Sequence, residues 1–335
     1  MYINMTKKDR TIAVIDTLNV EGNINANNVK NMKTKGRIRK ELIKNYDLYL
    51  MALPMILYYI IFHYWPLYGI QMAFRDYNIV LGFLKSPFVG LKHFRNFFSL
   101  PIAFMYIKNT LRINLTYLML YTPVPVLLAL MLNSLNKEKT KNRIQAVTYV
   151  PQFISTVIAV AMIRIFLNPY TGIVNIILTK LGIEVIDFLN KPELYAYVYV
   201  IPGILQYAGW SSLIYTGALT GINPELYEAA RIDGASKFRQ IINIELPIIA
   251  KVFVIQLILK MGGLMSLGWE KSYLLQTPFN IEVSEIISTY TYKVGIIGMQ
   301  YSYSAAIGLF NSVVNFILLL IANFVSRQVS ESSLW

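Results

Sequence analysis

The chain has 335 residues, of which 55% are hydrophobic and only 15% are charged. An ordinary soluble domain carries roughly a quarter charged residues, so these few could not cover a surface that faces water. Several apolar runs reach about 20 residues, which at 1.5 Å per residue is enough to cross a hydrocarbon core of about 30 Å. Composition therefore excludes a soluble globular protein and predicts an all-α, polytopic membrane protein.

The cysteine and histidine content limits the chemistry further. Cysteine is absent, which excludes disulfides, thiol catalysis and cysteine metal sites. The only histidines, His63 and His93, are far apart in sequence and lie beside aromatic residues. That setting is typical of interfacial histidines, so no metal site is expected.

The formal net charge is +13, and a cluster of basic residues lies near the N-terminus. Ten Lys or Arg residues fall within residues 1–48, most of them in Lys30–Lys44 directly before the first apolar run. Positive charge beside a span indicates a cytoplasmic anchor close to membrane lipid rather than a nucleic-acid site. We therefore expect residues 1–45 to form a basic, mostly disordered cytoplasmic tail, and no nucleic-acid partner.

Six apolar segments follow this tail within residues 46–335. The predicted spans are 48–74, 110–133, 145–167, 193–219, 247–269 and 303–325. Loops and termini assigned to the cytoplasm hold 18 Lys or Arg residues, against about nine in the outer segments. The positive-inside rule then places both termini in the cytoplasm.

A polar loop, residues 221–247, interrupts the apolar pattern between the fourth and fifth spans. Asn223-Pro224-Glu225 is a typical helix start, with an Asn cap, a proline in the first turn and an acidic side chain. Gly234 ends that helix, since glycine readily adopts the positive φ of a reversal. A second helix leads from Ala235 towards Pro247. The loop is either a lever through which a soluble partner acts on two spans or an ordinary amphipathic surface segment.

Polar side chains inside spans are costly and usually face a bundle interior or a path. Gln256, Lys260, Gly263 and Glu270 follow a three-to-four spacing, which predicts that they share one helix face. Because sugars bind to aromatic faces and hydrogen-bonding side chains, the candidate path residues are Gln206, Trp210, Gln256, Lys260, Trp269, Glu270, Asn311 and Asn315. The alternative is that such residues hold the helices together, or that Lys260 snorkels towards an interface.

The polar loop also carries a recognisable motif. Glu228-Ala-Ala-x-x-Asp233-Gly234-Ala235, with Leu246-Pro247 downstream, resembles the EAA loop of binding-protein-dependent ABC importer permeases. The resemblance implies the six-helix type I importer fold and a coupling helix that sits in a cleft of the ATPase subunit. By motif position, the coupling residues would be Glu228, Ala229, Ala230, Asp233, Gly234 and Ala235.

Further patterns are similar to the branch of that family that handles complex oligosaccharides and polysaccharide fragments. They are Tyr68-Gly-Ile-x-x-Ala-Phe-x-Asp76-Tyr77-Asn78, Val89-Gly-Leu-Lys-x-Phe94, Lys108-Asn-Thr-Leu111 and the closing Ser-Leu-Trp335. The resemblance implies a location in the cell membrane and three partners: a second, distinct permease subunit, a cytoplasmic ABC ATPase dimer and an extracytoplasmic solute-binding protein. ATP and Mg²⁺ would be held by the ATPase, and this chain would need no cofactor.

Other functions require features that the chain has only in part or lacks. No Gly-x-x-x-x-Gly-Lys-Ser/Thr run is present, so the chain is not itself an ATPase of that type. An intramembrane glycan- or lipid-processing enzyme needs buried acids, a histidine metal set or a Ser/Lys pair, and only the scattered Lys260 and Glu270 are available. A scaffold without a path, or a permease half for another solute such as a peptide, stays open. The sequence predicts a transport subunit without catalytic residues.

Overall fold

A computed structural model describes residues 44–135 and 137–329. The predicted tail therefore lies outside the described residues, apart from Lys44 and Asn45. In the described part of the chain, the backbone is helical between its turns. The strand-type pairing found there is one isolated bridge, between Arg75 and Phe88. The all-α prediction is confirmed.

The chain divides into two units, one ending at Tyr68 and the other beginning at Gly69. In the described part of the first unit, helix α1 (Tyr46–Tyr59) continues into a π-helical turn, Ile60–Tyr64. Neither element contains a buried residue. Their apolar and aromatic side chains are exposed, which suits a helix whose surroundings are lipid.

Most of the structure belongs to the second unit. After a 3-10 segment (Trp65–Phe74), its helices are α2 (Gly82–Lys85), α3 (Lys92–Phe98), α4 (Ala103–Tyr121), α5 (Pro123–Asn133), α6 (Glu138–Tyr149), α7 (Thr156–Phe166), α8 (Ile173–Lys180), α9 (Tyr195–Thr220), α10 (Pro224–Ile232), α11 (Lys237–Gln240), α12 (Leu246–Met261), α13 (Trp269–Leu275), α14 (Ile281–Ser284), α15 (Ile287–Tyr292) and α16 (Tyr301–Val329). Short 3-10 and π-helical turns connect several of them.

Four described helical stretches are long and apolar enough to cross a membrane. They are Tyr46–Phe74, Ala103–Asn133, Lys237–Met261 and Tyr301–Gln328. A fifth is obtained if Glu138–Phe153 and Thr156–Phe166, which meet at 101°, are one broken span. Helix α9 has 26 residues, about 39 Å at 1.5 Å per residue, but it is less apolar than the others. The count of six spans and the side of the termini stay predictions.

The position of α9 explains its composition. Half of it, 13 of 26 residues, is buried, and it packs against α4, α5, α6 and α12. A helix enclosed by other helices does not need the continuous apolar surface that lipid demands. At its contact with α6, a Cβ added to Gly209 would lie 2.0 Å from the backbone oxygen of Thr148. Glycine therefore permits the close approach of these two helices.

Two segments depart from the predicted boundaries. The predicted third span is bent. Pro151 lies in a 3-10 turn, Val150–Phe153, and Ser155 then caps α7, its Oγ accepting from the Ile158 amide at 3.4 Å. The predicted fifth span begins earlier than position 247, because α11, a π-helical turn (Ile241–Glu245) and α12 form one helix from Lys237 to Met261.

The segment after Gly69 is organised around one carboxylate. Asp76 forms an ion pair with Lys92, at 2.7 Å, and its other carboxylate oxygen lies 3.0 Å from His93 Nε2. Gly90, with φ +58°, supplies the reversal before α3. The adjacent Tyr77 amide donates to Ser302 Oγ at 2.8 Å. These contacts fasten the start of this segment to the first turn of α16.

Candidate functional site

The polar loop folds as helix, elbow and helix. Asn223 caps α10: its Oδ1 accepts from the Glu225 amide at 3.1 Å and its Nδ2 donates to the Glu225 carboxylate at 3.0 Å. At the other end, Gly234 has φ +72°, and the Ala235 amide donates to the Ala230 carbonyl at 2.8 Å. This is a Schellman-type helix end. Ser236 then caps α11 through its Oγ.

The motif residues lie on a surface that is open in this chain. Glu228, Ala229, Asp233 and Gly234 are exposed, and Ala230 and Ala235 are half-buried. No hydrogen bond or ion pair joins the Glu228 carboxylate to another described residue. Ile232 and Phe238, on either side of the elbow, are 87% and 72% exposed. Such apolar exposure beside unpaired charge is typical of a protein–protein contact.

A buried polar junction holds α10 against the membrane-facing helices. Asn133 Nδ2 donates to Glu245 Oε1 at 2.8 Å, and the Tyr227 hydroxyl donates to the same oxygen at 3.3 Å. Glu245 is only 4% exposed. Burial, and next the nearby Glu245 charge, raise the pKa of Tyr227, so the phenol stays protonated as the donor.

This junction connects three parts of the chain. Asn133 ends α5, Tyr227 lies in α10, and Glu245 lies in the π-helical turn that leads into α12. The apolar cluster beside it includes Leu219, Ile222 and Ile249. Sequence reasoning missed all three polar members, because a carboxylate beside a span does not reveal that it will be buried.

The predicted path residues separate into several groups. Trp210, Gln256 and Lys260 line one cavity of about 260 Å³, together with Tyr121 and Ser211. Tyr149 and Phe153 make edge-to-face contacts with the Trp210 ring, at 6.4 and 5.8 Å between centroids. The indole is thereby fixed while nearly half of its surface stays open.

Two other predicted path residues hold backbone in place. Gln206 donates to the Ile154 carbonyl at 2.8 Å, at the bend before α7. Asn315 accepts from the Met265 amide at 2.8 Å and donates to Ser266 Oγ at 2.7 Å. Both side chains are buried, and neither lines the cavity of Trp210. Contacts of this kind hold segments of the helical bundle together, which is the alternative role stated for these residues in the sequence analysis.

The remaining three predicted path residues lie away from the cavity of Trp210. Trp269 stacks on Tyr292, with centroids 3.9 Å apart and planes at 13°. Glu270 is half-buried and forms no ion pair with a described residue. Asn311 on α16 has a buried Oδ1 without a hydrogen-bond partner among the described residues. None of them lines the cavity that Lys260 borders.

Residues 122–331 match the family model described as "Binding-protein-dependent transport system inner membrane component". The match contains the coupling motif and every predicted path residue. The chain belongs to this family. It is therefore a membrane-embedded transport subunit of the ABC permease type rather than an enzyme.

Two curated relatives from Bacillus subtilis (strain 168) agree with this. The polygalacturonan/rhamnogalacturonan transport system permease protein YteP is 42% identical over 299 residues, which cover 89% of this chain and 93% of the relative. The arabinooligosaccharides transport system permease protein AraP is 30% identical over 289 residues, 85% of this chain and 88% of the relative.

A solved structure extends the likeness to the fold. It is a bacterial ABC transporter involved in the import of the acidic polysaccharide alginate, and one of its chains is 36% identical with a TM-score of 0.79. The match covers 88% of this chain and 99% of that one. The same comparison found the alginate transporter in complex with an alginate pentasaccharide-bound periplasmic protein, at a TM-score of 0.78.

Among the described residues, no group of three or more His, Asp or Glu side chains is arranged to hold a metal ion. Asp76, with Lys92 and His93 beside it, is an ion-paired structural carboxylate.

Proposed function

We propose that this chain is the permease subunit of an ATP-driven importer of oligosaccharides or polysaccharide fragments, and that it forms half of the translocation path. One observation carries the proposal. The helix that begins at Lys237 beside the coupling motif ends at Met261 and carries Gln256 and Lys260 into the cavity of Trp210. Some 20 residues of helix, about 30 Å, thus join the partner-facing surface to the polar cavity.

The coupling step follows from this geometry. A partner that binds the exposed face of α10 moves α10 and the elbow at Gly234 together when the partner itself moves. The junction of Tyr227, Glu245 and Asn133 passes the displacement to α5 and α12. Helices transmit such movement because their backbone hydrogen bonds keep them stiff along the axis. The cavity is bordered by both helices, and its shape changes with them.

The partners are those that such a subunit needs. A cytoplasmic ABC ATPase dimer, which holds ATP and Mg²⁺, binds the motif residues Glu228 to Ala235. A second permease subunit, distinct from this one, supplies the other half of the path. An extracytoplasmic solute-binding protein delivers the sugar. The names of the relatives, which concern polygalacturonan and rhamnogalacturonan, arabinooligosaccharides and alginate, support a carbohydrate over a peptide.

Reversal of one charge tests the coupling assignment. We expect Glu228→Arg to leave the protein inserted in the membrane while ATP-dependent uptake falls by at least tenfold, since an exposed anchor charge then repels its partner. The measurement is oligosaccharide uptake by liposomes that contain the full transporter. Glu138→Arg, in the other basic loop, is the matched control and should transport normally. Normal uptake by Glu228→Arg would remove the motif from the coupling surface.

A further inference from the structure

Lys260 is a cation without an anion. It borders the cavity of Trp210, and none of the residues that line this cavity is acidic. No described carboxylate lies within ion-pair distance of its ammonium group. Instead, Nζ lies over the Tyr121 ring at 4.3 Å and over the Tyr117 ring at 5.6 Å. Contacts between a cation and an aromatic ring offset only part of the cost of removing a charge from water.

Lys271 on α13 is a second such cation. Its Nζ donates to the Tyr199 carbonyl at 2.7 Å and lies 4.5 Å from the centre of the Tyr199 ring. The preceding residue, Glu270, forms no ion pair with it. Burial lowers the pKa of Lys271 to about 8, so the ammonium form still prevails at neutral pH.

The two lysines lie near the same pair of aromatic rings, Lys260 over both of them and Lys271 near Tyr117 alone. Tyr117 and Tyr121 stack with centroids 4.6 Å apart and planes at 14°. A Cβ built on Gly203 would lie 3.2 Å from Lys271 Nζ and 3.8 Å from Tyr117 Cε2, so these two atoms are at most about 7 Å apart. Lys260 covers the same stack from α12. One aromatic stack thus has two unpaired ammonium groups as neighbours.

We propose that Lys260 and Lys271 select acidic oligosaccharides by binding the carboxylates of uronic-acid units that pass the cavity of Trp210, whose indole is 46% exposed. This inference rests on the proposed function and names the substrate class of its path. A carboxylate is the group that an unpaired ammonium lacks, and an ion pair in a site of low dielectric is stronger than one in water. Aromatic faces accept sugar rings whether or not these are charged, so the lysines supply the discrimination.

A purely structural role predicts a different behaviour. If the lysines only packed on tyrosines, their removal would affect acidic and neutral sugars alike, through a general loss of stability. If they bind uronates, their removal affects acidic sugars alone. The ratio of acidic to neutral uptake therefore separates the two roles.

The experiment uses the full transporter, with its native partner subunits, in liposomes loaded with ATP. The probes are a galacturonic-acid trisaccharide and the same trisaccharide with its carboxyl groups reduced to alcohols. We expect the wild-type protein to prefer the acidic probe. Lys260→Gln and Lys271→Gln should each lower uptake of the acidic probe about tenfold, the effect of one lost desolvated ion pair, and change uptake of the neutral probe by less than twofold.

Two controls complete the test. Lys260→Arg keeps the charge and should keep the acidic preference. Lys251→Gln removes an exposed lysine from the same helix and should change neither probe. The solute-binding protein is identical throughout, so a change in the uptake ratio belongs to the permease. If Lys260→Gln does not assemble, Lys271→Gln and Lys260→Arg decide the outcome.

Equal losses for both probes, or no loss in either variant, would overturn the inference. Wild-type preference for the neutral probe would overturn it too, while the proposed import of oligosaccharides would stand. Uptake of neither probe by the wild-type protein would also overturn the inference, while import of other oligosaccharides would stand.

Discussion

Single residues decide how firmly the coupling loop is held, and Glu245 is the clearest of them. It is nearly fully buried, and its Oε1 accepts from Asn133 and Tyr227, whereas Oε2 has no hydrogen-bond partner among the described residues. A buried carboxylate depends on its donors because desolvation of the charge is costly. The junction is therefore sensitive to small chemical changes.

Removal of one hydroxyl tests this junction. We expect Tyr227→Phe to lower the free energy of unfolding by about 1 kcal/mol, since one hydrogen bond to a carboxylate is lost without a cavity. We also expect more ATP hydrolysed per sugar imported, because α10 is less firmly tied to α12. Thermal unfolding and the ratio of hydrolysis to uptake measure the two effects. Tyr170→Phe, at a tyrosine that is 90% exposed, should alter neither. An unchanged ratio in Tyr227→Phe would mean that the junction does not transmit movement.

At the scale of elements, α9 is the helix around which the second unit packs. Two of its glycines, Gly209 and Gly217, differ in how much space they leave for a side chain. A Cβ at Gly209 meets the backbone of Thr148 in α6, while a Cβ at Gly217 meets nothing within 4 Å. Backbone cannot rotate away as a side chain can, so α6 and α9 would have to separate.

These two glycines give a matched pair of variants on one helix. Gly209→Ala should destabilise the protein by about 2 kcal/mol or more through overpacking. Gly217→Ala should be neutral or stabilising by up to about 1 kcal/mol, because alanine is the better helix former. The yield of folded protein in detergent and its unfolding temperature report both effects. Equal stability of the two variants would show that α6 can move away from α9 at this contact without loss of stability.

At the scale of the whole molecule, the partner-facing end combines charge with exposed apolar side chains. Ile232 and Phe238 protrude on either side of the Gly234 elbow. They lie beside a loop rich in polar residues, where lipid does not require them. If the proposed function is right, these side chains are buried against the ATPase in the assembled transporter.

We therefore expect Ile232→Asp and Phe238→Asp each to weaken binding of the ATPase about tenfold or more, as loss of a central apolar anchor does. Membrane insertion should be normal, because neither residue belongs to the apolar core. Binding is measured with the purified permease and the ATPase in detergent. Thr140→Asp, at an exposed site in the first turn of α6, should bind as the wild type does. Full affinity in both apolar variants would place the contact elsewhere.

The sequence alone determined the class of the protein, the helical fold and the two helices and elbow of the polar loop. Apolar runs are local signals, because each span must satisfy its own backbone in lipid. The start of α10 at Asn223 and the reversal at Gly234 are local signals too, because a helix cap and a positive φ depend on a few adjacent residues. The family motif needed only the spacing from Glu228 to Ala235.

Only the tertiary structure decided which polar residues meet. Trp210, Gln256 and Lys260 line one cavity, whereas Asn315 bonds to backbone on another segment. Periodicity assigns a residue to a face of its own helix but does not say which neighbour covers that face. For the same reason, neither the Glu245 junction nor the lack of an ion pair at Lys271 could be predicted from the sequence. Each depends on contacts between helices that are distant in the chain, and packing of the whole bundle creates them.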